Sequence, residues 1–167
     1  MTNILCDTDI LSVFAKIERL DLLEEAFPNA DLQIVEEVYG ELELTRENGY
    51  SFPEKIFRAT DTVTLEQEEL EEYREKNDRT EFLPLSKADL KTFVASKKRE
   101  ILLLSNDSHL LEVSDQEEVL ALEIYDILEI LYQKNKIDRE KIQEIGNQVK
   151  QEDNLDLPDL DKIGRDS

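Results

Sequence analysis

Four acids stand where side-chain oxygens could do chemistry. Asp7 directly follows a short apolar run, Asn3 to Cys6, and Asp107 comes three residues after the four aliphatics Ile101 to Leu104. Two more lie beside apolar helical positions: Glu41 next to Leu42, and Asp89 next to Leu90. If they meet, these carboxylates offer hard oxygen donors, the kind that Mg²⁺ and Mn²⁺ prefer. Each also has a plain structural reading. Asp7 and Asp107 suit helix N-caps. Asp89 completes a capping box with Ser86. Glu41 could be a solvated helix residue, no different from Glu37. The chain has 41 acids, so any single one is more often structural than functional. Periodicity alone does not bring the four together.

The elements that would position them follow from patterning. Residues 3–6 predict a buried strand. Ile10, Val13, Phe14 and Ile17 recur at helical spacing. A short helix is expected over about 19–26, a weak strand over 32–35 and a helix over 36–44, with Gly40 as a flaw inside it. Asn48-Gly49 and Pro53 predict a turn or loop, and 60–65 could be a strand. The highly charged 66–76 predicts an exposed helix. Residues 86–99 form a clear helix with Leu90, Phe93 and Val94 inward. Ile101 to Leu104 is the strongest strand, expected to be central and buried on both faces. A helix at 108–113, a strand at 119–122 and helices carrying Ile124 to Leu131 and Ile142 to Val149 complete the series. Strands alternate with helices, which predicts a mainly parallel sheet covered on both faces: an α/β fold, a three-layer α/β/α sandwich. The body is expected over 1–150. Residues 151–167 carry six acids and two bases and predict a flexible acidic tail.

Composition sets bounds. A chain of 167 residues with 40% hydrophobic content suits one domain with a real core. The single cysteine, Cys6, excludes a disulfide framework and fits a reducing compartment. The opening residues lack the pattern of a signal peptide, and no stretch approaches a membrane span, so a cytoplasmic protein without membrane contact is expected. Four glycines leave no glycine-rich phosphate loop. The formal charge of −21 counts against a nucleic-acid partner, because phosphate affinity comes mainly from Lys and Arg. His109, the only histidine, cannot build a zinc cluster and reads as an ordinary helix residue.

Four segments in order resemble the motifs of PIN-domain nucleases. Ile4-Leu5-Cys6-Asp7-Thr8-Asp9-Ile10-Leu11 is similar to the opening motif, with Asp9 where Asn is usual. Ile34 to Leu42 is similar to the second, in which the late acid is functional, so the resemblance selects Glu41 over Glu37. Leu85 to Leu90 resembles the third. Leu103-Leu104-Ser105-Asn106-Asp107-Ser108 resembles the fourth, with Ser105 in place of Thr. The match spans about residues 3–131 and lies nearest the small prokaryotic toxin ribonucleases of the VapC kind and their stand-alone relatives.

The resemblance implies a Mg²⁺- or Mn²⁺-dependent ribonuclease that hydrolyses RNA phosphodiesters. Asp7 would be the central ligand, with Glu41, Asp89 and Asp107 as further ligands or water-orienting groups and Asp9 as an additional one. Ser105 would support a carboxylate or phosphate by hydrogen bond. The basic run of Lys87, Lys91, Lys97, Lys98 and Arg99 is either a solvated helix face or a substrate-facing patch, with Lys87, Lys91 and Lys97 as the RNA contacts. An antitoxin protein and a second copy of the chain are the implied partners. The alternatives are a PIN nuclease acting on DNA or in RNA processing, and a PIN-like protein that binds without cutting.

Overall fold

The computed structural model describes residues 2–165. Five parallel strands form one sheet in the order β3-β2-β1-β4-β5. These are β1 (Thr2–Cys6), β2 (Ala30–Val35), β3 (Asp61–Val63), β4 (Leu102–Leu104) and β5 (Ala121–Leu122). Between β1 and β2 lie α1 (Thr8–Lys16) and α2 (Asp21–Ala26). α3 (Glu36–Glu47) and α4 (Phe52–Ala59) lead to β3, and α5 (Gln67–Asn77) and α6 (Lys87–Arg99) lead to β4. α7 (Ser108–Gln116) joins β4 to β5, and α8 (Ile124–Gln133) and α9 (Arg139–Asp153) follow. The architecture is a three-layer α/β/α sandwich.

The order of strands decides where a site can form. From β1 the chain steps outward through β2 to β3, then returns across the sheet to add β4 and β5 on the other side. Parallel crossovers are right-handed, so this reversal puts the later crossover helices on the opposite face. α6 accordingly packs across β1, β2 and β4 with α5 and α7 beside it, while α1 packs on α4 and α9, and α2 on α8. Between β1 and β4 the two loops at the carboxyl ends part in opposite directions and leave a crevice.

β1 is the middle strand. Ile4 pairs with both Leu32 and Leu102, and Leu5 with both Gln33 and Leu103. Its residues Ile4, Leu5 and Cys6 are fully covered. The aliphatic run expected at the centre is instead the second strand in from an edge. It is still an interior strand, flanked by β1 and β5, which explains why Leu103 and Leu104 are buried.

Three other expectations need correction. The segment around Pro53 is helix α4, because proline in a first turn sacrifices only an N–H that has no helical partner anyway. α5 is not wholly exposed. Glu69 and Lys76 are buried, Glu69 against Arg99 at 2.7 Å and Lys76 against Glu72 at 3.1 Å and Glu117 at 3.3 Å. The described part of the predicted tail is anchored to the body, although most of its residues are exposed. α9 runs on to Asp153, and a 3-10 turn at Leu160–Lys162 buries Leu160 and, just after it, Ile163. The Arg139 guanidinium donates to the Leu160 and Ile163 carbonyls, and the Gly164 N–H donates to Glu129 at 2.9 Å. Leu160 lies so close to Gly146 that a Cβ there would come 2.3 Å from its Cδ1. Few apolar residues suffice for this because they fall on an apolar surface left by α8 and α9. Asp166 and Ser167 lie outside the described residues. No described helix is long and apolar enough to cross a membrane.

Candidate active site

The crevice between β1 and β4 collects acids from five elements. Asp7 ends β1, and its own N–H donates to the Leu104 carbonyl at 3.0 Å, which pins it to the neighbouring strand. Its side chain is buried. One carboxylate oxygen caps α1 by accepting from the Ile10 N–H at 2.9 Å; the other accepts from the Ser105 hydroxyl. The fully buried Ser105 in turn accepts from the Asp107 N–H at 3.0 Å. Asp107 caps α7 through the Leu110 N–H at 2.9 Å. Both strand-end acids are therefore helix caps as well as candidate site residues.

The remaining acids arrive on helices. Asp9 sits in the first turn of α1. Glu41, on α3, is exposed at the rim but accepts from the Thr8 hydroxyl at 3.2 Å. Glu37, one turn earlier, is tied to Lys91 instead. Asp89 lies in the first turn of α6, where its N–H donates to Ser86 at 3.1 Å, one half of the expected capping box.

Asp7, Asp9, Glu41 and Asp89 lie within one another's field, with Asp107 adding its charge. Burial pushes Asp7 up to about 8; the Ser105 and Ile10 hydrogen bonds oppose this, and the charges of Asp9 and Asp89 add to it. Burial also pushes Asp89 up to about 6, against the Ser86 hydrogen bond and with help from Asp107, Asp9 and Glu41. Asp9 is raised by loss of water and then by Asp107 and Asp153, with Lys16 opposing. Glu41 is raised by loss of water around its carboxylate, opposed by Thr8 and aided by Asp9. Raised carboxylates with few cations among them form a region that favours either protons or a metal cation.

The donor set fits a hard divalent ion in type and in charge. In spacing it is looser than the sequence implied: among the described residues, no three acidic, histidine or cysteine side chains form a ready ligand cluster. The physical reason is at hand. The capping bonds hold the Asp7 and Asp107 carboxylates against the starts of α1 and α7. An ion would have to draw the helix-borne acids inward.

The basic patch is largely spent. Lys91 pairs with Glu37 and lies over the Tyr73 ring at 5.0 Å. Lys97 pairs with Glu117 at 2.8 Å, eight residues along α6 from Asp89, or about 12 Å at helical rise. Only Lys87 of the three proposed contacts is exposed with no ion pair among the described residues. The His109 ring lies 3.0 Å from the Glu81 carbonyl and takes no part in the crevice. Burial drives the Cys6 thiol far up, so it is inert.

Three groups escaped sequence reasoning. Half-buried Asp153, at the end of α9, pairs with Lys16 at 2.7 Å and reaches the field of Asp9. Beside them opens a cleft of about 500 Å³ with Asp9, Lys16, Asn106 and Asp153 in its walls, along with Tyr50 and Phe52. Asn106 was visible within its motif. Asp153 and Tyr50 carry no local signal, because their approach depends on how α9 and α4 pack on α1.

No family model matches the sequence. No curated protein matches it either. Among solved structures, the fold is similar to that of PAE2754 from Pyrobaculum aerophilum, at 12% identity and a TM-score of 0.54. The likeness covers 78% of this chain and 98% of that one, and at such identity it speaks for the architecture alone.

Proposed function

We propose that the protein is a Mg²⁺- or Mn²⁺-dependent endoribonuclease of the PIN type, working in the cytoplasm. One observation carries the reading: at the carboxyl edge of a parallel sheet Asp7, Asp9, Glu41 and Asp89 have a raised affinity for positive charge, chiefly through burial, with their neighbours' charges and that of Asp107 adding to it. Asp7, Glu41, Asp89 and Asp107 are the residues that would hold the ion, with Asp9 beside them. When bound, the ion supplies Lewis acidity toward the scissile phosphate. Ser105 fixes the Asp7 carboxylate, and Asp107 fixes Ser105. Asp89, in the first turn of α6, would either hold the ion or orient the attacking water. Lys87, exposed and without an ion pair among the described residues, is the cation of α6 two residues from Asp89 that could meet RNA.

A second reading has its own support. The open ligand set and the charge of −21 favour a PIN-like protein that binds a partner and does not cut. Incubating the purified protein with single-stranded RNA or DNA in MgCl₂, MnCl₂ or EDTA separates the two. The nuclease reading expects RNA cleavage only with a divalent ion. Cutting that survives EDTA, or no cutting at all, overturns it; cutting of DNA alone moves the substrate class. In its toxin form the reading also calls for an antitoxin protein, whose binding would silence that cleavage.

Self-association belongs to the same proposal, since two copies would present two Lys87 residues along one groove. Light scattering at micromolar concentration should give a dimeric mass. A monomeric mass removes this source of positive surface and leaves each site to bind RNA alone.

A further inference from the structure

The cleft beside the carboxylates does not end at Asp153. It shares Lys16, Tyr50, Phe52 and Asp153 with a second hollow of about 790 Å³, so the two form one groove. One end holds Asp9 and Asn106, at the acids. The other holds Lys55, Gln148 and Gln151. At the waist stand two aromatic rings. Tyr50 and Phe52 lie with centroids 6.1 Å apart and planes tilted by 46°.

Tyr50 is 62% exposed although it is large and partly apolar. It follows Gly49, whose φ of +100° lets the chain turn sharply out of α3 and lifts the ring off the body of the protein. Phe52 is half-buried beneath it and carries the Lys16 ammonium 5.1 Å from its ring centre. The folded core uses little of the Tyr50 surface, and the ring faces the passage from the acids.

Charge along the groove limits what it can take. Its ionisable walls are Asp9, Lys16, Glu18, Lys55, Glu152 and Asp153, two cations against four acids. Lys16 is held by Asp153 and Lys55 by Glu18, each at 2.7 Å. The Lys55–Glu18 pair is exposed and therefore weak. A phosphate chain would gain little from this surface by charge alone. It would gain from stacking, because every base has a face that an aromatic ring can cover whatever its sequence.

We propose that Tyr50, with Phe52 behind it, is a stacking platform for an unpaired nucleobase of the strand being cut, and that Lys55 meets a phosphate beyond it. This rests on the nuclease reading and adds to it a strand path and a preference for single strands. A base held in a duplex has no free face to offer the ring. With two cations in the groove and Lys87 beside the acids, the salt dependence of binding should stay modest: a log–log slope no steeper than about −2.1 per chain, or roughly 18-fold between 50 and 200 mM salt.

The test uses the full chain and a fluorescent single-stranded RNA, with an abasic strand of the same number of phosphates as control. Binding is read by anisotropy in CaCl₂, a hard cation with oxygen ligands, and cleavage is read separately in MgCl₂. Tyr50→Ala is expected to weaken RNA binding by about 5- to 150-fold. Tyr50→Phe should stay within about twofold, since stacking needs the ring and not the hydroxyl. The abasic strand should bind the parent and Tyr50→Ala equally. Tyr50-dependent binding of RNA without any cleavage would keep the platform and sink the nuclease reading. Normal cleavage with unchanged binding in Tyr50→Ala would sink the platform and leave the nuclease reading standing. An equal loss on the abasic strand would also overturn the platform, since that loss would not be stacking.

Discussion

An Asp7→Asn variant is expected to cut RNA at least about a hundredfold more slowly than the parent, and to melt higher when divalent ions are absent. The two effects have one origin. Asp7 is buried, and burial together with Asp9 and Asp89 pushes it up to about 8 from an ordinary 3.8. At pH 7 the fold thus bears a penalty on the order of 4 kcal/mol, from about three pKa units between pH 7 and the ordinary value. Asparagine keeps the shape and can still accept from the Ile10 N–H, but carries no charge. Some of the penalty is then relieved, and a chain of this size gains roughly 2–4 °C per kcal/mol. Activity moves the other way, because an amide is a poor partner for a hard cation. Losing even a residue that only supports a metal ligand costs about 10- to 100-fold. Measured together, cleavage rate and melting temperature distinguish a site from a fold defect. A variant that melts lower and cuts normally would show Asp7 to be only a helix cap.

In divalent-free buffer the parent should melt higher at pH 5 than at pH 8. The folded chain holds protons on Asp7 and Asp89, and more readily on Asp9 and Glu41, than the unfolded chain does. Where the native state binds more protons, stability falls as pH rises. This contribution is fully present below the ordinary carboxylate range. It is lost as pH climbs through about 6 for Asp89 and about 8 for Asp7. Glu72 and Glu117, lowered chiefly by their lysine partners, act with opposite sign. Their stability is present above the ordinary glutamate value and fades only in more acid solution, so the fall in stability on the neutral side comes from the crevice acids, joined by Glu123, which burial and Asp126 raise. Asp7→Asn should flatten that slope, while Glu68→Gln on the exposed face of α5 should not.

An ion that binds only the folded state adds about 2.7 kcal/mol at a hundredfold excess over its dissociation constant, or roughly 5–11 °C here. The gain should be larger at pH 8, where fewer protons compete for the ligands. NaCl at equal ionic strength is the control, since screening helps any protein of this charge. Equal responses to MgCl₂ and NaCl, or a full response in the Asp7→Asn, Asp107→Asn double variant, would remove the metal site and favour the binding-only reading.

Local patterns revealed the parts of the fold that depend on local patterns. Ile10, Val13 and Phe14 announce α1, and the runs before Asp7 and Ser105 announce β1 and β4, because burial on one stripe or both faces leaves a mark in neighbouring residues. What depended on distant packing left none. Pro53 looks like a breaker until the start of α4 is known. Lys91 and Lys97 look like free charges until Glu37 and Glu117 arrive from α3 and the end of α7. Leu160 and Ile163 look too sparse to matter until α9 offers Gly146 as a seat. In the crevice, residue types were legible and distances were not. The motifs name five acids, but whether they close on an ion depends on repulsion and capping bonds that no spacing records.

The placement of β1 bears on how the chain is made. Of these five strands, the first to leave the ribosome is the one that needs neighbours on both sides, and 98 residues separate Asp7 from the Ser105 that completes its hydrogen bonds. At typical synthesis rates that interval lasts about 5–20 s. Until then β1 can pair with β2 and β3, but its other edge stays open and apolar, an invitation to a second nascent chain. A message truncated before β4 would release a fragment with that edge permanently bare. Such fragments should be insoluble, and the intact chain should depend on a chaperone, or on slow crowd-free refolding, more than its high charge suggests.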